Sequence, residues 1–118
     1  MSSEAIAALR EVHDLLTTFE EPSSIRRAAD ELEGAADKVV SCAAELVDVP
    51  EPENLQLRLS FAVKAIRAAE KAARAHRRNP LTRPLSHARF ALNTGKARGW
   101  LQGILEKLDA APTPPSGA

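Results

Sequence analysis

Apolar residues recur along most of this chain at alternating steps of three and four, the spacing that lines one side of an α-helix. One such row is Leu55, Leu59, Ala62, Ile66, Ala69 and Ala73, ending at His76, in a segment from Pro52 to Arg78 with no glycine and no later proline. Upstream, Ile25, Ala29, Leu32, Ala36, Val39, Ala43 and Leu46 keep the same rhythm and predict a helix from Ser24 to Leu46 or Val47. Ala5, Leu9, Val12, Leu16 and Phe19 predict a shorter helix over 3–18, capped by Ser2 or Ser3, with Glu4 in its first turn. Ile6, His13 and Leu15 widen its apolar side enough to touch two neighbours. Phe90, Thr94, Ala97, Leu101, Ile104 and Leu108 trace the last helix, for which Ser86 is the expected cap.

Three breaks separate these rows. In EEPSS, Pro22 disfavours helical geometry at Glu21. In VDVPEPEN, Pro52 suits a first helical turn, with Asp48 or Glu51 near the cap. In RRNPLTRPLSH, Pro80 and Pro84 interrupt the pattern, and Leu81 and Leu85 are expected to tuck the turn against the end of the fold. Such short connections favour antiparallel neighbours. The expected fold is therefore all-α: an up-down four-helix bundle with a short first helix and three long ones, or a long helical hairpin completed by oligomerisation. One domain would span 1–110, and APTPPSGA, residues 111–118, reads as a flexible Pro-rich tail.

Composition thins the expected core. Roughly one residue in five is alanine and aromatics make up 3%, so each helix is a good helix former but buries little apolar area per residue. The helices must lie close together. Gly34, in the middle of the second predicted helix, costs it about 1 kcal/mol relative to alanine.

Charge changes the picture more. The net charge is zero, yet residues 1–62 hold 5 basic and 13 acidic side chains, and residues 63–118 hold 11 and 3. Glu31, Asp37 and Glu45 are expected to run beside the basic residues of the third helix. From Lys64 to Arg98 there are ten basic residues and one acid, Glu70. Lys64, Arg67, Lys71, Arg74, Arg77, Arg78, Arg83 and Arg89 are the candidate partner-binding residues, and an acidic protein surface is the expected partner. Nucleic acid is the alternative, opposed by overall neutrality and the scarcity of stacking aromatics. A second candidate surface is the row Gly95, Gly99 and Gly103 with Leu92 and Trp100. Its absent side chains invite close packing, inside the domain or between chains of a homo-oligomer or hetero-complex. A helix kinked or frayed at Gly95 is the competing explanation.

Chemical motifs are sparse. The single Cys42 excludes an internal disulfide and a cysteine-based zinc site, and reads as a structural thiol. His13, His76 and His87 have no metal-ligand spacing, and the acidic clusters lack the Glu-x-x-His pairing of a di-iron bundle. NTGK, residues 93–96, lacks the first glycine and spacer of a phosphate-binding loop. No catalytic residue, metal or cofactor is predicted. No run of 18 apolar residues exists, and the N-terminal SSEAIAALREVHDL is not leader-like, so the expected location is cytoplasmic with no membrane partner. The function expected is a noncatalytic protein-protein interaction or adaptor module. The alternatives are a nucleic-acid-binding helical protein, or a small regulatory or enzymatic helical domain whose pocket no motif reveals.

Overall fold

The computed structural model describes residues 3–20, 25–47, 49 and 51–110. Within them lie four α-helices: α1 (Ser3–Thr17), α2 (Ile25–Glu45), α3 (Pro52–Arg78) and α4 (Arg83–Ala110). Short 3-10 turns occupy Thr18–Glu20 and Pro80–Thr82. No strand occurs among the described residues. Each helix packs on its neighbours in chain order, and α4 closes the ring on α1. This is the four-helix bundle, formed within one chain. Ser2, the EEPSS exit beyond Glu20, Asp48 and the tail 111–118 lie outside the described residues.

The predicted rows face inward. Leu9, Leu16, Ile25, Leu32, Leu46, Leu59, Ile66, Leu101 and Ile104 are almost completely removed from solvent. Each contributes about 1.5–3 kcal/mol of burial. Between them Ala28, Ala29, Ala36, Ala62, Ala69, Ala73 and Ala97 are equally inaccessible, so small side chains hold the rods close. Phe19 meets Phe90 edge-to-face, ring centroids 5.9 Å apart, which is a favoured geometry for an aromatic pair. Thr94 is the one polar member of the α4 row; its hydroxyl donates to the carbonyl of Phe90 at 3.0 Å, so its burial leaves nothing unsatisfied.

Side chains from neighbouring elements finish the helix ends. The Gln56 amide of α3 donates to the carbonyls of Ala43 (2.7 Å) and Leu46 (3.3 Å), satisfying the exit of α2. Asn79 closes α3 through its N–H to the Ala75 carbonyl (3.0 Å), and its side-chain oxygen accepts from the Leu81 N–H (3.1 Å) to start the 3-10 turn. Glu51 enters α3 in a left-handed conformation (φ 52°, ψ 58°), ahead of Pro52. Lys107 of α4 donates to its carboxylate at 3.0 Å. Ion pairs brace other helix pairs: Arg10 grips both oxygens of Asp109 (2.6 and 2.7 Å), and Lys38 reaches Glu11 (2.9 Å).

Two expectations for the α3–α4 turn fail. Leu81 and Leu85 do not tuck in; they are 92% and 52% exposed. Ser86 is not a cap but a buried residue inside α4, which begins at Arg83. The cause is that Pro84 falls in the first turn, where a missing N–H costs little, so the helix starts before it rather than after it. The register is then set by Phe90. Ser86, four residues earlier, comes round to the core side, whereas Leu85, five earlier, lies about 140° away.

Candidate functional site

The basic side chains of α3 share one outer stripe but divide by what neutralises them. Arg67 and Arg74 turn toward α2. Arg67 lies 3.6 Å from Asp37, and Arg74 reaches Glu33 (3.2 Å), Asp30 (3.8 Å) and its own-helix neighbour Glu70 (3.0 Å). The hydrogen bond that Arg74 donates to Glu70, with the charges of Glu70, Glu33 and Asp30, raises the pKa of its guanidinium above the ordinary value, against some desolvation. Asp37 pairs with α3 as expected, and Asp30 and Glu33, rather than Glu31, are the α2 carboxylates that reach Arg74. These two arginines are thus occupied by the fold's own acids, although such half-exposed pairs contribute only about 0–1 kcal/mol each.

Lys64 and Lys71, only about 40–80° farther round the helix from these arginines, are exposed and form no ion pair among the described residues. The same is true of Arg77, Arg78, Arg89 and Lys96. Arg83 is exposed and donates from Nε to the His76 carbonyl at 3.2 Å. Arg77, Arg78 and Arg74 border an open hollow of about 490 Å³.

The antiparallel pairing of α3 with α4 brings Lys64 beside Lys96 across a shallow groove of about 250 Å³. Ala65 and Ala68 line it from α3, Asn93 from α4, and Phe61 and Trp100 stand at its side. The two rings are stacked with a tilt of 36°, centroids 5.1 Å apart, and each residue is 38% exposed. Leu57, one turn before Phe61, and Leu92, two turns before Trp100, are more than half exposed. Sequence reasoning singled out Trp100 and Leu92 but missed Phe61, Leu57 and Lys96. Phe61 stands off the four-three row of α3, which was the available signal; its closeness to Trp100 depends on the register between two helices.

Through Gly95, Gly99 and Gly103 the helix α4 is continuous, so the kinked alternative is ruled out. A Cβ placed on any of the three would meet nothing within 4 Å. The close packing expected of this row therefore does not occur inside the domain. Each glycine weakens an interior helical position by about 1 kcal/mol relative to alanine, and no neighbour in the bundle requires its absent side chain.

The remaining candidates are accounted for locally. Cys42 is buried, and desolvation, helped by Glu45 and opposed by Lys38, pushes its thiol pKa up, the wrong direction for a nucleophile. His76 and His87 have ring centroids 6.5 Å apart at the α3–α4 turn, and His13 lies 3.4 Å from Asp14. Among the described residues no group of three His, Cys, Asp or Glu is placed to hold a metal ion, and no helix is long and apolar enough to cross a membrane. No protein-family model, curated protein or solved structure matches this chain.

Proposed function

We propose that this bundle is a noncatalytic protein-interaction module that docks an acidic protein surface on the outer side of α3 and α4. The observation that carries the reading is the division of cations. Arg67 and Arg74 are neutralised by α2, whereas Lys64, Lys71, Arg89 and Lys96 have no ion pair among the described residues. No acid occurs in the sequence from Lys71 to Leu105, so this side presents an uncompensated positive field next to exposed aromatic surface. Complementary charge of that kind steers association and selects partners more than it adds affinity, and the Phe61–Trp100 pair offers the apolar anchor that affinity needs.

The arginines most conspicuous in the sequence are the wrong ones to reverse, because Arg67→Glu or Arg74→Glu would also set like charges against α2. The test is quantitative affinity capture with the whole chain as bait, comparing wild type with Lys64→Glu/Lys96→Glu and with Arg27→Glu on the exposed side of α2. Specific loss of acidic proteins from the double variant alone, with its melting temperature unchanged, is the expected result. Equal capture by all three baits refutes the docking surface. Fluorescence anisotropy with single-stranded and duplex nucleic acid at low salt separates the rival reading, for which binding that weakens steeply with salt would be required.

A further inference from the structure

We infer that the acidic partner engages this surface as an amphipathic α-helix, laid along α4 with small residues over the glycine row and carboxylates at its flanks. The inference rests on the docking function proposed above and adds the shape of the occupant. Gly95, Gly99 and Gly103 recur every four residues, about 6 Å apart along the axis. A row with that period is a groove matched to the i±4 ridge of another helix. Because, apart from the helix's own adjacent turns, no atom comes within 4 Å of where a Cβ would stand at any of the three, the backbone of α4 is open to approach.

The groove does not stand alone. Leu92 projects beside its N-terminal end, 57% exposed, and the half-covered Trp100 flanks its middle, braced by Phe61 at 5.1 Å. These are the two side chains an incoming apolar ridge would cover. Lys96 and, across the α3–α4 groove, Lys64 then meet the partner's flank. That placement is what selects acids there and small or leucine side chains between them. An extended peptide is a poor occupant, since α3 and α4 spend their backbone groups within the helices and present no strand edge to augment. Antiparallel self-pairing of two glycine rows is disfavoured for a different reason: it sets the exposed Lys96 of each copy along the same side of one seam, with no acid of α4 between them.

Trp100 is the only tryptophan in a chain without tyrosine, so its emission reports directly on the surface. The intact chain is titrated with two acidic synthetic peptides of equal length: an amphipathic helix with leucine and alanine on one side and glutamate on its flanks, and polyglutamate. The helical peptide is expected to shift Trp100 emission to the blue, saturably and sensitively to salt. Gly99→Ala/Gly103→Ala is expected to weaken that binding about tenfold or more while raising the melting temperature, a combination that general destabilisation does not produce. If polyglutamate binds equally well and the glycine variant binds like wild type, the acidic docking function stands and the helical occupant is overturned. If neither peptide moves Trp100, both fail. A concentration-dependent shift without peptide, abolished in the glycine variant, makes the occupant a second copy and also overturns the inference.

Discussion

Replacing Gly95, Gly99 and Gly103 together by alanine is expected to make the isolated bundle markedly more stable. Each substitution restores about 1 kcal/mol of helix propensity. None is opposed by a clash, because the new methyl groups find nothing within 4 Å. The sites share no packing partner, so the effects add to about 3 kcal/mol. An unfolding entropy of about 2.1 cal/mol/K per residue gives roughly 0.25 kcal/mol/K for this chain of 118 residues. The expected rise in melting temperature is therefore about 12 °C. Thermal unfolding followed by circular dichroism at several protein concentrations measures it, and calorimetry checks that the transition is two-state. A fall in melting temperature, or no change at low concentration, would refute the reasoning: some backbone or side chain would then have to occupy the row in the free chain.

Truncating a central side chain has the opposite sign. Ile66→Ala or Leu32→Ala, each fully buried, should cost about 2–5 kcal/mol, seen as a lower urea midpoint with an unchanged slope. The Lys107 ammonium, first by its hydrogen bond and then by its charge, together with Asn54, holds the Glu51 carboxyl below its ordinary pKa. A lowered folded pKa gives stability that is present above the ordinary glutamate pKa and lost as pH falls through the lowered value. Lys107→Met should therefore raise the Glu51 titration midpoint, read by carboxyl carbon NMR, and remove that part of the acid dependence. Cys42 should react with a disulfide reagent only as fast as the bundle opens, since burial both hides the thiol and disfavours its thiolate; rapid labelling in native buffer would contradict its placement.

What the linear pattern could specify was the inward side of each helix. The rows through Leu9, Leu32, Ile66 and Leu101 are buried as spaced, because a side chain's direction around a helix depends on residue count alone. The prolines likewise marked the breaks, since a missing N–H acts locally. The pattern could not specify how far Arg83 and Pro84 would extend α4 toward its start, and so misplaced Ser86, Leu81 and Leu85. Nor could counting along one helix say which cations an adjacent helix would neutralise. Arg74 finds Glu33 over a separation of 41 residues, whereas Lys64 meets another lysine, Lys96, across its groove. The Phe61–Trp100 pair and the open side of the glycine row have the same origin. Contacts between helices depend on the axial offset and rotation at which two rods settle, and those are fixed by the packing of all four together.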